Sequence, residues 1–166
     1  MVLDFDNGKQ LSNLIPMTQD EFLVFAEVAV PSFAAEKVAS GQWNEAEALE
    51  LARKSFAELL PQGLATLDNH FFTVHDQTTQ INVGIVWIAA QERAGKRIAY
   101  VYEISIKPEH QRRGHAKRAL LALEDKVRSL GLSGIALHVF GHNTAAQALY
   151  LQLDYQPTNI NLFKAL

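Results

Sequence analysis

Residues 100–130 restrict the fold more than any other stretch. An apolar, β-branched and aromatic run (100–106) is followed by Gln111-Arg112-Arg113-Gly114-His115-Ala116 and then by a helical pattern over 117–130. Ala116, Leu120, Leu123, Val127 and Leu130 recur at helical spacing, Lys126 and Arg128 sit in the last turn, and Gly131 lies just past the end. A strand that hands the chain to a helix through a cationic turn with one glycine directs several backbone N–H groups, and the positive end of the helix dipole, at one spot. That spot favours a phosphate. Arg112 and Arg113 are placed to neutralise a pyrophosphate, and Gly114 lets backbone and ligand approach with no Cβ between them. The plain alternative is an ordinary solvated basic turn.

After this helix, Ile135, Leu137 and Val139 alternate as a strand, so the region reads as one βαβ unit, with the glycine turn at the carboxyl end of its first strand. Ligands favour that end of parallel strands. Upstream, residues 14–17 predict a short strand, and Thr18 with Glu21 forms a capping box that starts a helix near Gln19, which Pro31 should break or kink. Asn44 with Glu47 repeats the cap, and the next helix runs through Ala48, Leu51, Ala52, Phe56 and Leu59 before Pro61 and Gly63. Residues 70–74, 81–90 and 98–106 then read as an antiparallel meander, with Asp76-Gln77 and Gly95-Lys96 as turn signals. Asn143 caps a last helix bearing Ala146, Leu149 and Leu153, and residues 161–166 are expected to close the sheet as an edge strand. The expected fold is α+β, in one domain over residues 1–166: a mixed, mostly antiparallel sheet flanked by helices, with one parallel βαβ crossover.

The chain has 166 residues, 48% of them hydrophobic, enough for one substantial core and short for two. A net charge of −3 gives no support to a polyanionic partner such as nucleic acid, so any anion site is local. The absence of cysteine excludes disulfides, thiolate metal sites and a cysteine nucleophile, and fits a reducing compartment. Met1–Asp6 carries acidic residues where a secretory signal carries basic ones, and the apolar stretch 22–35 is interrupted by Glu27 and Pro31. A cytoplasmic protein without membrane partners is expected.

A second motif, Asn143-Thr144-Ala145-Ala146-Gln147-Ala148-Leu149-Tyr150-Leu151-Gln152-Leu153-Asp154-Tyr155, follows at one strand's distance from the first. The first resembles the Q/R-x-x-G-x-G/A pattern, and the second the N-x-x-A-x-x-L-Y-x-x-L-G-F signature, of the GNAT superfamily of N-acetyltransferases. The resemblance covers residues 81–166, and segment 42–66, with its Trp-Asn-Glu-Ala-Glu-Ala run, looks like a small bacterial branch of that superfamily. Two positions depart from the patterns. Ala116 replaces a glycine and tightens the space at the phosphate, and Asp154 replaces the glycine at the helix exit, which is expected to be strained or reshaped.

The resemblance implies acetyl-CoA as co-substrate, with its pyrophosphate at Gln111, Arg112, Arg113, Gly114, His115, Ala116 and Lys117. It implies that the backbone of Ile104, Ser105 and Ile106 pairs with the pantetheine arm like another strand, with an N–H near Ile104 polarising the thioester carbonyl. It also brings Asn143, Ala146 and Tyr150 of the last helix to the cofactor, and places the Tyr150 phenol, of ordinary pKa near 10, beside a departing thiolate of pKa about 8.5. Packing is the plain role for Tyr150, and N-capping for Asn143.

Glu103 stands out as a carboxylate inside the strand 100–106. Simple alternation puts Tyr102, Ile104 and Ile106 on one face and Val101, Glu103 and Ser105 on the other. An acid on this strand resembles the general base of many GNAT enzymes; an ion pair or a solvated carboxylate is the alternative, and His138 is a second candidate base. The six histidines fit no metal-ligand frame, so no metal is expected. The combined reading is transfer of acetyl from acetyl-CoA directly to a primary amine, small molecule or peptide, without an acyl-enzyme intermediate. Its rival is a non-catalytic acyl-CoA-binding module. Acidic residues at Glu21, Glu27, Glu36, Glu45, Glu47 and Glu50 form a solvated helix face that could also attract a cationic amine. The acceptor stays unidentified and a homodimer is left open.

Overall fold

A computed structural model describes residues 12–166; Met1–Asp6, read above for a targeting signal, lies outside them. The elements run β1 (Ser12–Pro16), α1 (Gln19–Ala39), α2 (Glu45–Leu59), β2 (Asn69–Asp76), β3 (Ile81–Arg93), β4 (Lys96–Ile106), α3 (His115–Ser129), β5 (Ile135–Leu137) and α4 (Thr144–Gln152). The five described strands lie in the order β1-β2-β3-β4-β5, antiparallel except for the β4–β5 pair. The mixed sheet with one parallel crossover is therefore as the sequence predicts.

Local chemistry explains most boundaries. At the start of α1 the Thr18 hydroxyl accepts from the Glu21 N–H at 3.3 Å, and the Glu21 carboxylate accepts from the Thr18 N–H at 2.8 Å, a complete capping box. Asn44 caps α2 through Ala46 N–H, and Asn143 caps α4 through Ala146 N–H, both at 3.1 Å. Of the break or kink expected at Pro31, the break does not occur: the helix continues to Ala39. Proline removes one backbone donor, but packing compensates on both sides of it, with Ala29 against one apolar cluster and Val30, Phe33 and Ala34 in another.

The sheet is covered on both faces. On one side Met17, Phe22, Phe25, Phe71 and Trp87 form an aromatic core beneath α1 and α2. On the other, Val86, Ile88 and Val101 meet Leu120 and Leu123 of α3. Each of these two leucines is fully buried, worth roughly 1.5–3 kcal/mol of transfer free energy. α4 adds Leu149, Tyr150 and Leu153 to that same core.

Several expectations need correction. Residues 161–166 form no strand, and Leu162 and Phe163 are each 93% exposed. β5, three residues long and without Val139, offers too short an edge to template another strand. The β3–β4 turn is centred on Ala94-Gly95, one residue before the pair expected, with both residues at positive φ between Arg93 and Lys96, as a type I′ hairpin requires. The exit of α4, expected to be strained or reshaped, is strained at Asp154 but not reshaped. That residue takes the left-handed conformation (φ 63°), while Tyr155 N–H donates to Tyr150 C=O and Asp154 N–H to Leu151 C=O, a complete Schellman motif.

Candidate acetyl-CoA site and active site

The site is built on an irregularity in β4. Glu103 pairs with Trp87 and Val101 with Ile88, so Tyr102 is an extra residue, a β-bulge. The bulge overturns the alternation expected from sequence: Tyr102 stacks on Trp87 on the α1/α2 side (4.6 Å between centroids), whereas Val101, Ile104 and Ile106 share the α3-side core. Past the bulge the backbone has changed phase. Ala99 N–H donates to Gly134 C=O on the β5 side, yet Lys107 N–H donates to Val83 C=O of β3. Counting back from Lys107, strand alternation turns Ser105 toward β3 and the N–H groups of Ile104 and Ile106 toward the β5 side.

β5 has left that side by then. The parallel pairing ends at Val101–Leu137, so the strands part and residues 102–106 border an opening. Gly84, whose importance sequence reading missed, lets β3 follow β4 to this point: a Cβ there would run into the Ser105 carbonyl. The available signal was a glycine inside a strand, which often marks close backbone approach. Gln111 donates its side-chain N–H to Ile106 C=O at 2.9 Å, so that side chain ties the turn to the strand end.

The turn itself is a donor array. Arg112 and Gly114 both have positive φ (61° and 81°), and α3 begins at His115 with no side-chain cap and no acidic residue in its first turn. The first helical N–H groups, of His115, Ala116 and Lys117, have no intrahelical acceptor by geometry, and a left-handed residue before a right-handed one forms an anion-binding concavity. Arg112, Arg113 and Lys117 are exposed and form no ion pair with any described residue. The His115 side chain turns inward instead. It is 5% exposed, and burial, followed by the charge of Arg118, holds its pKa below the usual histidine value.

Glu103 is half-buried, and burial, followed by the nearby charge of Glu36 on α1, raises its pKa, with the Ser105 hydroxyl partly offsetting this. Tyr150 is also half-buried, and its pKa is raised by burial and then by the Glu103 charge, so the two groups feel each other across the opening. Beneath Tyr150 lies Tyr155, 5.5 Å away ring to ring, its hydroxyl buried and without a hydrogen-bond partner among the described residues; burial pushes its pKa up to about 12. On the α1/α2 side, Tyr100 and Tyr102 meet edge to face at 5.0 Å and Gln91 donates to the Tyr102 hydroxyl at 3.1 Å.

A cleft of about 1110 Å³ opens along β5, bordered by Tyr100, His138, Tyr150 and Tyr155. It reaches the α4 side of the site but neither Ile104 nor the glycine turn. His138 is exposed just beyond β5, its ring against Phe140. The structure thus directs the Ile104 and Ile106 N–H groups to the β5 side, sets the cationic turn at the same end of β4, and leaves Glu103 close enough to Tyr150 for its charge to act on the phenol. Ser105 is exposed, with its hydroxyl acting on Glu103, and Asn143 is engaged as the cap of α4. Among the described residues no three histidine or acidic side chains come together as a metal site, and no helix is long and apolar enough to cross a membrane.

A sheet that opens between two parallel strands beside a cationic strand-turn-helix is the architecture that the resemblance in the sequence implies. Comparison with known proteins agrees: the chain belongs to the acetyltransferase (GNAT) family, whose model matches residues 35–155. It is 35% identical over 153 residues, 92% of this chain and 97% of the relative, to the uncharacterized N-acetyltransferase YycN of Bacillus subtilis. The crystal structure of YycN has a TM-score of 0.87 to this fold at 34% identity, covering 93% of this chain and 98% of that one. YdgE, another uncharacterized N-acetyltransferase of that organism, is 31% identical over 150 residues, 90% of this chain and 95% of its own. AAC(6')-Iy, solved with the bisubstrate analogue CoA-S-monomethyl-acetylneamine, shares the fold (TM-score 0.58, 14% identity, 93% of this chain and 97% of that one).

Proposed function

We propose that this acetyltransferase binds acetyl-CoA in the opening between β4 and β5 and transfers the acetyl group directly to a primary amine. The observation that carries the reading is the phase change at the Tyr102 bulge, which turns the Ile104 and Ile106 N–H groups into a gap that no described strand fills. An extended pantetheine arm pairs with those groups as a strand would, while its pyrophosphate meets the N–H groups of Gly114, His115 and Ala116 with Arg112, Arg113 and Lys117 around them. Ala146 and Asn143 border the arm from α4.

Each remaining role follows from charge. Glu103 takes a proton from the acceptor ammonium, directly or through water, and the neutral amine attacks the thioester carbon. The Ile104 N–H donates to the carbonyl oxygen as negative charge develops there. The tetrahedral intermediate then collapses to the amide: the C–S bond breaks, Tyr150 protonates the departing sulfur, and the second proton on nitrogen is released to water, from which the phenolate is reprotonated. Glu103 and Tyr150 work in sequence. Burial, and after it the Glu103 negative charge, holds the Tyr150 pKa up, so protonation of Glu103 by the amine removes the smaller of the two causes and makes the phenol a somewhat better acid.

The test is release of free CoA thiol from acetyl-CoA over a panel of amines and peptides, with products read by mass spectrometry. The expected result is amine-dependent thiol release with an acetylated amine as product. Tight CoA binding with no turnover on any amine would leave only an acyl-CoA-binding module.

A further inference from the structure

The glycine turn is braced from behind by a residue outside the motif's ligand-facing positions. Arg118 lies one helical turn into α3, and its Nη2 donates to Arg113 C=O at 2.9 Å and sits 3.2 Å from His115 Nδ1. Its backbone N–H donates to Gly114 C=O at 3.1 Å. A Cβ on Gly114 would come within 2.7 Å of Arg118 Nη1, so the guanidinium fills the space that a side chain at 114 would need. The positive φ favours glycine at 114, while the Arg118 tip packed there is flexible enough to give way to a Cβ.

The Arg113–Gly114 peptide is the consequential unit. In a trans peptide the C=O and N–H point in opposite directions. With Arg113 C=O directed inward to Arg118, the Gly114 N–H is directed outward, alongside the first N–H groups of α3. Glycine at 114 also leaves this peptide easy to rotate, and a rotated peptide would present the negative end of its dipole to an incoming phosphate.

We infer that Arg118 is a positioning residue for the pyrophosphate: it locks the Arg113–Gly114 peptide so that the Gly114 N–H joins the helix N-terminal donors. The inference rests on the phosphate reading of the turn given above. Arg118 acts through the backbone it holds, whereas Arg112, Arg113 and Lys117 face the ligand.

The experiment titrates CoA and, separately, acetyl-pantetheine, which lacks the pyrophosphate, into the wild type, Arg118→Met, Arg118→Lys and Gly114→Asp. Arg118→Met is expected to lose at least tenfold in CoA affinity while acetyl-pantetheine binding stays within twofold and kcat at saturating acetyl-CoA stays within threefold. Arg118→Lys recovers part of the loss, because an ammonium still donates to Arg113 C=O. In the ligand-free Arg118→Met protein the Gly114 amide shows a second, exchanging NMR state. Should Arg118→Met not fold, Arg118→Gln takes its place in the same comparison.

Unchanged CoA affinity in the Arg118 variants, with a loss of at least tenfold in Gly114→Asp, overturns the inference and spares the phosphate reading. Equal losses for both ligands overturn it too, since the defect is then not confined to the pyrophosphate. A Gly114 amide with a single unchanged state, beside lost CoA affinity, makes Arg118 a direct phosphate ligand and overturns the lock. A folded Gly114→Asp with wild-type CoA affinity removes the phosphate reading itself.

Discussion

At the scale of single residues, the opening between β4 and β5 joins a raised carboxyl to a raised phenol, and each makes a separable prediction. Glu103 has a higher pKa in the fold than the ordinary 4.5, so the native state binds more protons than the unfolded chain between the two values. Stability contributed at low pH is lost as pH rises through that window. Glu103→Gln is therefore expected to melt at or above the wild-type temperature at pH 7 and to show no such gain below pH about 4, where both states of the wild type carry the neutral acid. In kinetics the same substitution lowers kcat/KM at neutral pH, and rising pH restores part of it as more acceptor arrives as the neutral amine. A loss uniform across pH would remove Glu103 from the proton path and pass the role to His138 or water. Tyr150→Phe deletes one hydroxyl from a ring that also packs. Single-turnover rates about 10²-fold lower with acetyl-CoA affinity intact are expected of a proton donor, and a rate within twofold of wild type would make Tyr150 a packing residue.

At the scale of elements, two of the five described non-glycine residues at positive φ make separable predictions. Ala94 occupies the first central position of a type I′ turn at φ 50°, and Asp154 the left-handed position of a Schellman motif at φ 63°. Ala94→Asn and Asp154→Gly are each expected to stabilise the fold by about 0.5–1 kcal/mol, a few degrees in Tm at most, with CoA binding unchanged. Melting curves check both, and a lowered Tm in either would contradict the assigned backbone conformation. These positions also show what a sequence displays and what it hides. The caps at Thr18, Asn44 and Asn143, the α3 stripe and the meander are legible because side-chain chemistry and periodicity announce them. The bulge is not, since an extra residue in a strand leaves the pattern of residue types intact while reversing which groups face which way. Alternation alone grouped Tyr102 with Ile104 and Ile106; only the pairing of Val101 and Glu103 with adjacent residues of β3 separates them. Arg118 was hidden for a similar reason, as its spacing reads as ordinary helix surface until the turn folds back over it. Pro31 misled in the opposite direction, because its local penalty is visible in sequence and the packing that absorbs it is not.

At the scale of the whole molecule, the sheet supplies the opening, α3 the anion site and α4 the phenol, while α1 and α2 wall the face that carries Tyr100 and Tyr102. On the proposed reading the acceptor approaches from the α1/α2 side, where Glu36 acts on Glu103, and the pantetheine arm runs along the α3 and α4 side. Family membership and the resemblance to YycN support acetyl transfer in general; the division of labour between the two faces rests on the geometry of β4. A crystal structure of the complex with a non-reactive acetyl-CoA analogue tests that division most directly. The account predicts the carbonyl oxygen within about 3 Å of the Ile104 N–H, the sulfur beside the Tyr150 hydroxyl, and the pyrophosphate on the N–H groups of Gly114, His115 and Ala116. An analogue bound with its acyl group away from Ile104, or its phosphates away from the Gly114 turn, would contradict it.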